Sequence, residues 1–184
     1  MKILINNLKI FLFFIVLTGI AYPLFITVIS QAIFKDEANG SLITKNGKVV
    51  GSELLAQEFK RKQYFWPRPS AANYDSTSSA ASNLSPDSKA LNETIAKRAV
   101  ANGLDIKSND DLLYASGSGL DPHISPISAE RQIDRIAEAR HLDARKIEEL
   151  KKLIVDNTES RQFGVLGRKR INVLKLNLEL DKKL

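Results

Sequence analysis

Apolar and polar positions follow three different rhythms along the 184-residue chain. Residues 10–34, IFLFFIVLTGIAYPLFITVISQAIF, carry no charge between Lys9 and Lys35. At 1.5 Å per residue they make about 37 Å of helix, enough to cross a hydrocarbon core of about 30 Å with some tilt. The competing reading is a cleavable signal peptide, with Val28 and Ser30 at the −3 and −1 positions of its cleavage site. A signal's apolar region runs to about 15 residues, so the length favours a retained anchor.

Beyond the span the period shortens. In SLITKNGKVVG, residues 41–51, two apolar runs flank Asn46-Gly47, a dipeptide suited to the positive φ angles of a tight turn, and a β-hairpin is predicted. SELLAQEF, residues 52–59, spaces Leu54, Leu55 and Phe59 as a short helix capped by Ser52. Residues 66–88, with three prolines and seven serines, read as a loop too long to be a bare connection. Ser85 as cap and Pro86 at the first helical position start a helix that places Leu91, Ile95 and Ala99 on one face and ends at Asn102-Gly103. Residues 127–140 gather Ala129, Ile133, Ile136 and Ala137 opposite a charged face, and Asp143 caps a further helix with Ile147, Leu150 and Ile154 inward. INVLKLNLEL, residues 171–180, alternates in two phases and predicts a strand bulged near Val173.

Charge sets the orientation. Lys2, Lys9 and the amino terminus precede the span without an acid, whereas Lys35 is followed by Asp36 and Glu37. The positive-inside rule therefore puts the N-terminus in the cytoplasm. The expected fold is α+β: a cytoplasmic tail over residues 1–9, one transmembrane helix over 10–34, and a single small extracytoplasmic domain over 35–184. Lys plus Arg outnumber Asp plus Glu by 27 to 21, and by 25 to 21 once Lys2 and Lys9 are set aside. Such a mild excess, without aromatic residues interleaved in the one basic run, argues against nucleic-acid binding. The absence of cysteine excludes disulfides and thiolate metal sites.

The densest chemistry lies in SGSGLDPHIS, residues 116–125, which holds serines, Asp121 and His123, one of two histidines. A membrane-anchored serine hydrolase is the enzymatic reading. Its nucleophile elbow needs G-x-S-x-G, and Ser118 is flanked by Ser116 and Leu120 instead. His123 and His141 lack the paired spacing of a zinc helix, and no phosphate-binding or dinucleotide fingerprint occurs. Gly117, Gly119, Asp121-Pro122 and Ser125-Pro126 supply turn and cap chemistry, so the loop reads as rigid structure leading into a helix. A generic anchored binding module stays open beside the hydrolase. Within the span, Gly19, Tyr22 and Pro23 either form a face for another membrane helix or reflect the ordinary frequency of glycine and proline there.

Taken in order, TGIAYPLFITVISQ, NGSLI, VGSELLAQEF, YFWPRPSA, SNL, SGSGLDPHIS, AERQIDRIAEAR and INVLKLNLELD resemble the family of C subunits of the Kdp potassium-transporting ATPase over nearly the whole chain. The resemblance implies an accessory, non-pumping subunit of the bacterial inner membrane. Its partners would be a channel-like potassium-binding subunit, a P-type ATPase subunit and a very small membrane peptide. It further implies a role in assembly and activity, as a catalytic chaperone that raises the ATP affinity of the pump subunit. No cofactor is firmly bound in that picture: ATP enters through the pump subunit, and K+ is the transported ion. The residue of the AERQIDR segment linked to nucleotide is Gln132, which an external domain would keep away from cytoplasmic ATP, leaving indirect coupling. Gly19, Tyr22, Pro23, Tyr64, Phe65, Arg68, Pro69, Asn83, Ser118, Asp121 and His123 are then candidates for subunit contact. Ser79-Ala80-Ala81 departs from the glycines that relatives often carry before SNL.

Overall fold

A computed structural model describes residues 1–108 and 110–184 and divides the chain into two compact units, Met1–Leu42 and Ile43–Leu184. The first is a continuous helical rod of α1 (Lys2–Val16), a π-turn (Leu17–Ala21) and α2 (Tyr22–Ile33), followed by the single turn α3 (Lys35–Ala38). Helix therefore begins at Lys2, well before the apolar run, and no residue of α1 or α2 is buried. The rod is long and apolar enough to cross a membrane. Its π-turn has a local cause. Proline at 23 has no N–H to donate, and its ring would meet the carbonyl of residue 19. The extra residue in the turn relieves that, with the Tyr22 N–H donating to the Leu17 carbonyl.

Among the described residues the second unit is α+β, with helices and two 2-stranded sheets set among long irregular segments. The hairpin forms as expected from β1 (Leu42–Lys45) and β2 (Lys48–Ser52), with Asn46 and Gly47 both at positive φ. SELLAQEF is not a helix. After a turn in which Ser52 Oγ accepts from the Leu54 N–H, the chain extends. There the Ala56 N–H donates to the Leu120 carbonyl and the Gln57 amide to Val50. Residues 61–88 contain no regular element.

Helix α4 (Lys89–Asn102) starts three residues later than expected. Ser88, not Ser85, caps it by accepting from the Leu91 N–H, while Ser85 and Pro86 form a preceding turn. Left-handed Gly103 ends the helix, and Ile95 and Ala99 face a small cluster with Leu113. β3 (His123–Ile124) pairs antiparallel with β4 (Ile171–Asn172), opposing His123 to Asn172 and Ile124 to Ile171.

The single helix expected over residues 127–140 is broken into α5 (Pro126–Glu130) and α6 (Ile133–Arg140). At the break the Gln132 N–H donates to Ala129, three residues back, and the Gln132 side-chain amide takes the Ser128 carbonyl that an unbroken helix would have used. Asp143 caps α7 (Ala144–Asp156) as expected, with Leu150 and Ile154 buried.

The largest correction is at the C-terminus. Residues 173–183 are helix α8 (Val173–Lys183), not a strand, because Asn172 caps it by accepting from the Lys175 N–H. Val173, Leu176 and Leu180 recur at three- and four-residue spacing and are all buried. The main core joins these residues with Ile133, Ile136, Leu150, Leu153 and Ile154 around Phe65.

Candidate functional site

A strap formed by residues 61–69 crosses this core, and buried side-chain amides hold it. Asn177 Oδ1 accepts from the Phe65 N–H at 2.8 Å while its Nδ2 donates to the Phe65 carbonyl at 2.9 Å. Gln132 does the same one residue on: Oε1 accepts from the Trp66 N–H at 2.8 Å and Nε2 donates to the Trp66 carbonyl at 3.2 Å. Each amide stands in for a neighbouring strand, so the strap's backbone is satisfied where no sheet reaches it. Gln132 also accepts from Arg135 and donates to Ser128, so both acceptor positions and both donor hydrogens of its amide are used. At 2% exposure it offers no hydrogen-bonding group to a ligand.

Charged groups finish the clamp. The Arg135 guanidinium donates to the carbonyls of Lys62 and Tyr64 and lies 3.7 Å over the Trp66 ring. Burial lowers its pKa to about 10, which leaves it charged at neutral pH. Arg140 donates to the Gln63 carbonyl and, at 2.7 Å, to Asp181, which also accepts from the Tyr64 hydroxyl. Neither Asn177 nor Arg135 was among the sequence candidates. A lone asparagine inside the leucine-rich face of α8 is the signal that could have exposed it.

The strap leads into the SGSGLDPHIS loop. Arg68 Nη1 meets Asp121 at 3.2 Å, Nη2 donates to the Ala115 carbonyl, and the Pro69 carbonyl accepts from the Ser116 N–H. Burial opposes the Asp121 charge, yet hydrogen bonds from the His123 ring and N–H, together with Arg68, hold its carboxyl below the usual range. The Ser118 hydroxyl accepts from the Leu120 N–H, while His123 turns to Asp121. Serine, histidine and aspartate therefore do not form a relay. Only Gly119 of the two loop glycines takes positive φ, and there the Ala80 carbonyl and Ser70 Oγ leave no room for a side chain. At Asp121-Pro122 the expected turn forms, with Asp121 Oδ1 accepting from the His123 N–H ahead of β3, and Ser125 caps α5 by accepting from the Ser128 N–H. Beneath this cap the buried Asp110 accepts from Ser128 Oγ and the Leu112 N–H, and Arg131 Nε stands 3.3 Å away.

The other sequence candidates are scattered. Phe65 is wholly buried and presents nothing to another chain, Tyr64 packs against the core, and Asn83 is exposed at φ +52°. Gly19 lies in the π-turn, and Tyr22 and Pro23 open α2. Arg68, Asp121 and His123 do come together, on one wall of an open 510 Å³ cleft whose other wall is Arg168, Lys169 and Arg170.

A family model described as K+-transporting ATPase, c chain, matches residues 4–182. Potassium-transporting ATPase KdpC subunits from Burkholderia mallei (strain SAVP1) and Burkholderia pseudomallei (strain K96243) are each 47% identical over 181 residues, covering 94% of this chain and 92% of their own length. The corresponding subunit of Burkholderia ambifaria is 46% identical over a 190-residue alignment that covers 98% and 97%. On a match that runs from the apolar helix through the strap to α8, the chain belongs to the KdpC family.

Proposed function

We propose that the chain is an accessory, non-pumping subunit of an ATP-driven potassium uptake complex, and that it acts through assembly rather than chemistry. The observation that carries this reading is the family match across residues 4–182. The helix Lys2–Ile33 is the membrane anchor, spanning with residues 10–34, with its N-terminus in the cytoplasm and the domain outside. A channel-like potassium-binding subunit, an ATP-hydrolysing subunit and a small membrane peptide complete the complex. The chain raises the ATP affinity of the hydrolysing subunit by biasing the assembled complex, without nucleotide touching Gln132. The closed hydrogen-bond set of that side chain supports the indirect route.

Purification of the full chain from membranes tests the core of this. ATP hydrolysis should appear only when the other subunits accompany it, and deletion should slow growth at limiting potassium. Turnover by the chain alone, or normal growth of the deletion strain, would sink the reading. Accessibility labelling of Ser78→Cys tests the orientation, since Ser78 is exposed and the chain has no other cysteine. Modification only from the cytoplasmic face would reverse it and reopen direct nucleotide contact.

A further inference from the structure

Residues 159–170 close on themselves as a hairpin. Glu159 and Arg170 exchange backbone hydrogen bonds, and Gln162 pairs with Leu166. Phe163 at φ +53° and Gly164 at +78° make the reversal. Two left-handed residues suit a tight turn, but a bulky aromatic rarely takes such a position. The same Phe163 is 92% exposed, beside Val165 at 72% and Leu166 at 57%. It joins neither hydrophobic cluster of the domain. Apolar side chains displayed together on an ordered turn mark a surface that meets something else.

Charge and shape narrow what that is. Arg161, Arg168 and Lys169 stand on the same hairpin and take part in no ion pair among the described residues, whereas Arg170 is held by Glu159. Across a 680 Å³ groove from them lie Pro126 and the exposed Ile127, at the start of α5. A bilayer receives a protrusion, but it does not fill a groove. A protein segment engages both, and the unpaired basic wall facing an isoleucine selects acidic together with apolar side chains.

We propose that this groove and the hairpin tip seat an acidic and apolar segment of another chain of the potassium-transporting ATPase. The inference rests on the function proposed above. Phenylalanine and arginine, both present on the hairpin, are enriched in protein–protein interfaces. The SGSGLDPHIS loop, whose Ser125 lines the groove, becomes one wall of that seat.

Because this chain has no cysteine, the purified full chain carrying Phe163→Cys accepts a single thiol-linked photocrosslinker before it is reassembled with the other subunits in membranes. Val165→Cys provides a second position that leaves the turn residues intact. The expected adduct is with an ATPase subunit, on a peptide carrying Asp or Glu beside apolar residues. A paired Arg168→Glu, Lys169→Glu variant should lower recovery of the other subunits at least tenfold with unchanged unfolding of the chain itself. Adducts with lipid only, adducts on a peptide without acids, or full recovery after the charge reversal would each overturn the seat. If the wild-type chain retrieves ATPase subunits while the adducts are lipid, the seat alone falls. If it retrieves none, the functional reading falls with it.

Discussion

The strap and the hairpin are both irregular segments, each with an aromatic at its centre, and they treat it in opposite ways. Phe65 is fully enclosed and Phe163 is 92% exposed. The difference begins with the backbone. The strap cannot satisfy its own N–H and C=O groups, so Asn177 and Gln132 do it from α8 and from the break between α5 and α6, drawing the strap into the core. The hairpin bonds to itself through Glu159–Arg170 and Gln162–Leu166, needs nothing from the core, and is left to face outward. A loop's role thus follows from who answers its backbone polar groups.

The contrast is broken most severely at the strap's aromatic. Phe65→Ala removes the centre of the main core and should cost about 3–5 kcal/mol, read as a lower denaturation midpoint for the full chain in detergent. A loss below about 1 kcal/mol would mean that the strap lies on the core without being part of it. Gln132→Ala comes next. It strands the Trp66 N–H and uncouples Arg135, for an expected loss of about 2–4 kcal/mol. In assembled complex that remains folded, the KM for ATP should be unchanged. A raised KM without any loss of stability would instead give Gln132 a direct part in nucleotide binding.

What the sequence reveals about these two regions depends on how far away the deciding partner lies. The Asn46-Gly47 hairpin, the Asp143 cap, the Gly103 stop and the inward face of α7 all rest on neighbours within a few residues, and all are legible. The C-terminal run is ambiguous at close range. Leu174, Leu176, Leu178 and Leu180 alternate like a strand, while Val173, Leu176 and Leu180 repeat like a helix. Asn172 settles it by capping the helix, and the buried Asn177 makes sense only against Phe65, 112 residues earlier. SELLAQEF has helical spacing yet extends, because Ala56 and Gln57 bond to Leu120 and Val50. Among Ser118, Asp121 and His123, proximity in sequence does bring His123 to Asp121, but the Ser118 hydroxyl is turned to the Leu120 N–H and Asp121 is also engaged by Arg68 from the strap. The clamp of Gln132 on Trp66 spans 66 residues and leaves no local pattern.

A smaller effect tests the junction where the strap meets the SGSGLDPHIS loop. The Asp121 carboxyl is held below its ordinary value of 3.8, so its contribution is complete above that value and disappears as the pH falls through the lower folded value. Asp121→Asn should therefore cost about 1 kcal/mol at pH 7 and less at pH 3, below the ordinary value of 3.8. Denaturation of both proteins at the two pH values measures the gap. A gap undiminished in acid would mean that Asp121 acts through shape rather than charge.

The smallest expected effect is at the hairpin, and it sharpens the contrast most. Phe163 contributes to neither hydrophobic cluster and holds a positive φ that asparagine accepts more readily than an aromatic. Phe163→Asn should then change the stability of the isolated chain by no more than about 0.5 kcal/mol, and in the stabilising direction if the turn strain dominates. The same substitution removes the apolar tip offered to a partner, so recovery of the other ATPase chains should fall while the denaturation midpoint holds. Phe65→Ala gives the reverse order of events, with assembly lost only because the domain unfolds. A marked loss of stability from Phe163→Asn would show that the tip packs against its own domain, and the two aromatics would then share one role.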